Sequence, residues 1–296
     1  MNRVFYLVGP TGVGKSELAA EVARRLGAEI VSADAFQIYR GLDLLTAKPD
    51  PATRAKASHH LIGAVPLNEE MNAEKYRAAA EKIINRGKPV IVVGGTGLYI
   101  KALTHGLASL PSANPRLREK LERATTEELW RSFCALDPVG AEKIDRQNRR
   151  RLIRAVEVCL LTGEPFSAQR REWIGGVSAD GVLLLRDRDQ LYARINQRVE
   201  QMFAAGVVEE VRAANEIGLT AGKTLGLREI RALLAGEVSE AECIAQIQQL
   251  TRRYAKRQLT WFGRQSNFPS LNLSAHDPAE SLELISQSAS RVLARG

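Results

Sequence analysis

Gly9-Pro10-Thr11-Gly12-Val13-Gly14-Lys15-Ser16 fits the pattern G-x-x-x-x-G-K-[ST] at every fixed position. Such a stretch functions only as a bend between a strand and a helix, so it constrains the fold on both sides. The apolar run Val4 to Val8 predicts a buried strand before it, and Glu17 to Leu26 predicts a helix after it. In that setting the glycines let successive backbone N–H groups converge on phosphate oxygens. Lys15 brings a mobile positive charge to the same oxygens, and the Ser16 hydroxyl is suited to hold Mg²⁺. The pattern predicts a phosphate site; it does not say whose phosphates, or whether they are transferred or expelled.

Alternation extends this frame. Glu29 to Ser32 predicts a second strand ending at Asp34, Ala73 to Arg86 a helix, and Val90 to Val93 a strand running into Gly94-Gly95-Thr96-Gly97. Strands alternating with helices predict an α/β fold: a parallel sheet with helices on both faces. Ligands of such sheets sit beyond the carboxyl ends of the strands. Ser16, Asp34 and Thr96 each follow a predicted strand end and are expected to share one crevice. The pattern changes at Gly106 to Pro115, where Asn114-Pro115 reads as a helix cap followed by a first-turn proline. From there to about Ala179 the periodicity is helical, which predicts an all-helical insertion. The expected domains are therefore 1–113, the first part of a phosphate-loop core; 114–180, the helical insertion; and 181–296, the rest of the core with basic C-terminal helices. In the last segment Val182 to Leu185 predicts a strand, and helices are expected over Gln190–Ala205, Val207–Ile217, Ser239–Phe262 and Pro278–Leu293.

The 296 residues carry a net charge of +8, which suits a polyanionic partner. Cys134, Cys159 and Cys243 lack paired spacing and read as small apolar residues in a reducing compartment. His59-His60 reads as structural. No apolar run approaches a membrane span, and the N-terminus enters a strand without a signal-peptide layout, so a cytoplasmic location is expected. In the helix around Arg149 to Leu161, Leu152, Val156, Cys159 and Leu160 form one stripe, with Arg150 and Arg154 opposite and Arg149 and Arg151 flanking. Like charges at that spacing repel by a few tenths of a kcal/mol, and an anionic partner accounts for them. In the helix Ser239–Phe262, Ile244, Ile247, Leu250, Tyr254 and Trp261 share a side, while Arg252, Arg253 and Lys256 lie away from it. Two such faces on a basic chain favour nucleic-acid contact. With aromatics at 5%, a stacking platform for single strands is disfavoured. The strand Val90 to Val93 ends in Gly-Gly-Thr, where a nucleotide-hydrolysing loop protein normally has a carboxylate. The loop therefore reads as holding phosphates without hydrolytic equipment. Asp34 is open between a magnesium ligand, a general base and a turn residue.

Taken in order, Gly9 to Ser16, Ser32-Ala33-Asp34 with Gln37-Ile38-Tyr39, Thr46-Ala47-Lys48-Pro49, Gly94-Gly95-Thr96-Gly97-Leu98-Tyr99, Arg151-Leu152-Ile153-Arg154-Ala155-Val156-Glu157-Val158, and Thr251-Arg252 with Tyr254-Ala255-Lys256-Arg257-Gln258 and Trp261 cover nearly the whole chain. Together they resemble the tRNA dimethylallyltransferases, also called tRNA isopentenyltransferases. The resemblance implies a phosphate-loop core with a helical insert. It also implies transfer of a dimethylallyl group from dimethylallyl diphosphate to the N6 amine of the adenosine 3′ of the anticodon, with Mg²⁺ as cofactor. It further implies engagement of the tRNA anticodon stem-loop; no membrane partner is expected, and a monomer is taken as the working state.

By the same resemblance, Asp34 accepts the amine proton, Lys15 and Thr96 complete the catalytic set, and Gly9, Pro10, Thr11, Gly12, Val13, Gly14, Lys15, Ser16 and Arg198 hold the diphosphate. Asp34, Ala35, Phe36, Gln37, Thr96, Arg118, Arg150, Arg151, Leu152, Ile153 and Arg154 match segments that touch tRNA. Ala35 stands where the family usually has serine, and Leu225-Gly226-Leu227 replaces Ile-Gly-Tyr, which removes one polar contact and one aromatic hydroxyl. The readings left in competition are a prenyltransferase of free adenine nucleotides, a small-molecule or nucleotide kinase, and an RNA-binding protein with nucleotide as a structural ligand.

Overall fold

A computed structural model of the chain describes residues 3–107, 110–169 and 179–294. The phosphate-loop pattern lies between strand β1 (Val4–Val8) and helix α1 (Lys15–Leu26). Next come β2 (Glu29–Ala33), α2 (Pro51–Ala55), β3 (His59–His60), α3 (Ala73–Ile84), β4 (Val90–Gly94) and α4 (Gly97–His105). Five helices follow: α5 (Pro115–Arg123), α6 (Thr126–Leu136), α7 (Pro138–Ala141), α8 (Arg149–Thr162) and α9 (Phe166–Gln169). The helical expectation over 170–178 lies outside the described residues. The chain continues with β5 (Gly181–Leu185), α10 (Arg188–Ala204), α11 (Val207–Ala213), α12 (Leu227–Leu234), α13 (Glu240–Gln265), β6 (Ser270–Asn272) and α14 (Pro278–Leu293).

The six strands form one all-parallel sheet in the order β3-β2-β4-β1-β5-β6. A parallel sheet covered on both faces needs strands that are apolar at successive positions rather than at alternate ones, which Val4–Val8 and Val90–Val93 supply. Phe5, Leu7, Ile30, Ile91 and Leu184 build one core with Ala19 and Ala23 of α1 and Ile285 and Ala289 of α14. Tyr6, Val8, Val31, Val92 and Leu183 build the other with Tyr76 and Ala80 of α3, Ile100 of α4 and Phe262 of α13. Each fully buried aliphatic side chain contributes about 1.5–3 kcal/mol. Val8 pairs with Gly94 and Ala33 pairs with the same Gly94, so β1, β2 and β4 end level and their loops leave from one edge.

In this part of the chain three expectations need correction, and two more follow in the helical insertion. The helix placed over Val207–Ile217 stops at Ala213, and Glu216 beyond it takes a positive φ of 50°. The buried stripe of α13 runs through Cys243, Ile247, Thr251, Ala255, Gln258 and Phe262, so Leu250, Tyr254 and Trp261 sit at its flank and are half-buried. Arg252 does not lie away from the fold: its Nη1 donates to Asn196 Oδ1 at 2.5 Å, and its guanidinium lies 6.0 Å from the Tyr192 ring.

Residues Thr104–Val177 form a compact unit apart from the unit made by Met1–Leu103 with Ser178–Gly296. Its core packs Leu129 and Phe133 of α6 on Leu152, Ile153, Val156 and Cys159 of α8. Leu160 falls past the edge of that stripe and is 50% exposed, contrary to its expected place. The larger correction concerns Arg154, which the sequence puts on a free cationic face. Its Nη1 donates to Glu157 Oε2 at 2.9 Å and its Nη2 to Pro111 O at 2.7 Å. Glu157 is fully buried and also accepts from Arg118 Nη2 at 2.7 Å and from Asn114 N at 2.9 Å. A carboxylate one helical turn along therefore answers the arginine from within the chain. Arg150 and Arg151 are exposed, and their side chains make no hydrogen bond or ion pair among the described residues.

Glu157→Ala leaves the Asn114 N–H and two half-buried guanidiniums without their acceptor. Chemical denaturation is expected to show a loss of about 1–3 kcal/mol. An unchanged midpoint would show that water replaces the carboxylate without cost.

Candidate active site

The loop after β1 is shaped by glycine where the backbone turns left-handed. Gly14, the residue capping α1, has φ 107°, and no side chain caps the first turn of that helix. The first-turn N–H groups are therefore left for an anion, at the helix end where the dipole favours negative charge. Thr11, Gly12, Gly14, Lys15 and Ser16 line a cavity of about 580 Å³ whose wall also includes Asp34, Gln37 and Arg198.

Lys15 Nζ donates to Gly9 O at 2.9 Å and Pro10 O at 2.7 Å, so the lysine folds back over its own loop. Burial pulls its pKa down to about 8; the negative charge of Asp34 opposes this shift and the positive charge of Arg198 adds to it. Arg198, on α10, donates from Nη2 to Thr11 Oγ1 at 2.7 Å, while its Nε is buried with no hydrogen-bond partner. Burial also holds the Arg198 pKa below its ordinary value, with Asp34 opposing and Arg194 adding. Two desolvated cations near one carboxylate leave the cavity short of negative charge, which an anionic ligand supplies.

Asp34 Oδ1 accepts from Phe36 N at 2.9 Å and from Gln37 N at 3.2 Å. These are the bonds of a turn aspartate, and they also fix the carboxylate in the cavity wall. Gln37 Nε2 donates to Thr46 O at 3.2 Å and Ala47 O at 3.0 Å, which ties down a loop whose Ala47 has φ 49°. Thr96 is not part of the cavity wall. It lies behind Asp34, where Thr96 Oγ1 accepts from Ala35 N at 3.0 Å and Thr96 N donates to Ala33 O at 3.1 Å. Phe36 packs near Tyr254, with ring centroids 6.5 Å apart. A second pocket of about 50 Å³ shares Thr11, Asp34 and Arg198, and Leu45, Met202 and Ile247 give it an apolar wall.

The geometry thus gathers Thr11, Gly12, Gly14, Lys15 and Ser16 with Asp34, Gln37 and Arg198 around one space; contrary to expectation Gly9, Pro10 and Val13 are not in its lining, Val13 being a core residue, and Thr96 lies one layer behind. Arg118 and Arg150 to Arg154 belong to the helical unit. Within it Leu152 and Ile153 are core residues, 0% and 8% exposed, so their side chains are not available to a partner. Three residues of the cavity wall carry no role in the sequence analysis. Arg194 lines the same cavity and donates from Nε to Gly12 O at 3.0 Å; its spacing of one turn before Arg198 was the available signal. Lys48 is a buried cation bound to Tyr39 O and Asp43, signalled by the Thr46-Ala47-Lys48-Pro49 motif. Gln258 is a buried glutamine on α13, signalled by its place in the Tyr254-Ala255-Lys256-Arg257-Gln258 motif.

Mg²⁺ prefers oxygen ligands in an octahedron and usually keeps several waters. Ser16 lines the cavity, and no group of three His, Cys, Asp or Glu that could hold a metal occurs among the described residues. An ion here would therefore rest on the Ser16 hydroxyl, water and ligand phosphate oxygens. The donor set fits that role.

A strand–loop–helix turn with the glycine pattern of a phosphate loop, sharing its cavity with a fixed carboxylate and lacking a carboxylate at the end of β4, defines a phosphate-loop protein. A family profile described as IPP transferase matches residues 37–265. The tRNA dimethylallyltransferase of Akkermansia muciniphila is 42% identical over 94% of this chain and 96% of its own length. The tRNA dimethylallyltransferase 1 of Citrifermentans bemidjiense is 45% identical over 90% of each. The crystal structure of the tRNA isopentenylpyrophosphate transferase of Bacillus halodurans superposes with a TM-score of 0.72 at 31% identity, covering 99% of this chain and 97% of that one. The chain belongs to the IPP transferase family.

Below pH 8 Lys15 is charged in the free protein, and a bound polyphosphate raises its pKa further. Affinity for inorganic diphosphate is therefore expected to fall as pH rises above about 8, by up to about tenfold per unit. The comparison is calorimetric titration of wild type against Lys15→Met, which removes the ligand's own titration. Parallel pH profiles for the two proteins would contradict the assignment.

Proposed function

We propose that the chain transfers a dimethylallyl group from dimethylallyl diphosphate to the N6 amine of the adenosine 3′ of the anticodon in tRNA, releasing diphosphate. Prenylation of tRNA is the activity named for its relatives over most of their length. The observation that carries the reading is the meeting of two desolvated cations, Lys15 and Arg198, with Asp34 on the wall of one cavity.

An adenine amine is a weak nucleophile because its lone pair is delocalised into the ring. The allylic carbon compensates, since positive charge developing on it is shared across the double bond. The N6–C1 bond forms as the C1–O bond breaks, and the bonding electron pair leaves on the diphosphate. The chief task of the protein is to stabilise that departing negative charge. Lys15, Arg198 and the first-turn N–H groups of α1 act where the charge grows and not on the neutral amine. Lys15 performs this by exchanging the Gly9 and Pro10 carbonyls for phosphate oxygens. Mg²⁺ held at Ser16 would neutralise further diphosphate charge. Asp34 takes the proton shed by N6, and Thr96 orients the Asp34 segment through the Ala35 N–H.

The tRNA backbone is met by fixed and mobile cations of the helical unit. Arg118 and Arg154 share Glu157 and so keep one net positive charge between them, whereas Arg150 and Arg151 are free to reach phosphates. The target adenine leaves its stack to enter the cavity, which a flexible anticodon loop permits more cheaply than a duplex. In this reading the enzyme acts as a cytoplasmic monomer. Among the described residues no helix is long and apolar enough to cross a membrane.

Labelled dimethylallyl diphosphate incubated with unmodified tRNA is the direct assay. Label in tRNA is expected; label in AMP alone, or in neither, would overturn the reading. Asp34→Ala should lower kcat at least about 100-fold with tRNA affinity nearly intact. A variant that keeps most of its rate removes Asp34 from the proton-accepting role. Replacing Arg150 and Arg151 together by alanine should flatten the salt dependence of tRNA binding by about 0.7–0.9 per lost phosphate contact, and an unchanged slope would mean that both face only solvent.

A further inference from the structure

We propose that Gln258 is a positioning residue that ties the diphosphate cradle to the Asp34 segment, and so fixes the spacing between leaving group and proton acceptor. The proposal rests on the transfer reaction given above. Gln258 is 6% exposed, on the buried stripe of α13. A carboxamide there is unfavourable wherever an end is left unpaired, and both ends are paired. Oε1 accepts from Thr11 N at 2.8 Å, inside the phosphate loop. Nε2 donates to Gly95 O at 2.9 Å, on the loop that leaves β4.

The path continues in both directions. Thr11 Oγ1 accepts from Arg198, the buried guanidinium of the cradle. The residue after Gly95 is Thr96, whose Oγ1 accepts from Ala35 N, and Ala35 follows Asp34. One side chain thus joins the cation side of the cavity to its carboxylate side, through residues far apart in sequence. The backbone at Gly95 is built around this contact: a Cβ added there would lie 2.2 Å from Gln258 Nε2. The residue type is also set. A glutamate offers only acceptors and would turn an oxygen toward Gly95 O, and an asparagine is one methylene short. A misplacement of about 1 Å between reacting groups can cost about 100-fold in rate, which a loose junction at this point would produce.

The test uses full-length Gln258→Glu and Gln258→Met, each also combined with Thr96→Val. Transfer kcat, tRNA affinity, inorganic diphosphate affinity and melting temperature are measured for every protein. Each Gln258 variant should lose about 100-fold in kcat, while tRNA affinity stays within about twofold. Because Gln258 acts through Thr96, the double variants should be no slower than the worse single one by more than about threefold. Losses that multiply, or a kcat that does not change, would overturn the proposal. So would a rate loss matched by equal losses in tRNA affinity and melting temperature, since that is the signature of a structural glutamine alone. Wild-type protein that transfers nothing to tRNA would retire the reaction and not the junction. The junction is then read from diphosphate affinity, where Gln258→Met is expected to bind about tenfold more weakly, and wild-type affinity would overturn it.

Discussion

Positive charge held out of water at the carboxyl edge of a parallel sheet is the condition on which the rest of this molecule depends. Lys15 and Arg198 are both displaced from their ordinary pKa values, chiefly by burial. Desolvating two cations is unfavourable on its own. Asp34 offsets part of that cost, and the carbonyls of Gly9 and Pro10 hold Lys15 in the meantime. The surroundings are rigid enough to sustain it: β1 and β4 are apolar through both faces, β2 is buried at every position, and the three end in register. In the proposed reaction a phosphorylated ligand completes the charge balance that the fold leaves open. That is why the same arrangement suits a reaction whose barrier lies in expelling diphosphate.

The net charge of +8 is spread less simply than a count suggests. In the helical unit Glu157 absorbs part of the charge of Arg118 and Arg154 and anchors the start of α5 through Asn114 N. Those arginines are structural as much as they are available to a polyanion. Arg252 is likewise engaged by Asn196 and Tyr192. On α8 the arginines without such partners are Arg150 and Arg151, whereas periodicity grouped Arg150 with the engaged Arg154 and Arg151 with the engaged Arg149.

Much of the fold is legible in the chain because its signals are local. Val4–Val8, the glycine pattern and Val90–Val93 each specify their element without reference to anything distant. The edge strands are not legible: His59-His60 and Ser270–Asn272 are short and polar, and they are strands only because β2 and β5 offer free edges. The start of α4 at Gly97 hides inside a glycine-rich loop. In the site, Lys15, Ser16 and Asp34 follow from spacing, whereas the role of Arg198 required the family resemblance. The role of Gln258 was not legible because its partners, Thr11 and Gly95, are 247 and 163 residues away. Arg154 and Glu157 stand at a spacing that sequence reading recognises, yet the burial of Glu157, which decides the charge of that face, is a property of the packed helices.

A structure with the non-reactive thio analogue of dimethylallyl diphosphate and an anticodon stem-loop bound together tests the central claim most directly. The account predicts the diphosphate on Lys15 Nζ and the Arg198 guanidinium, with the target N6 within about 2.6–3.2 Å of an Asp34 oxygen. Diphosphate seated away from both cations, or an N6 amine facing some other acceptor, would contradict it.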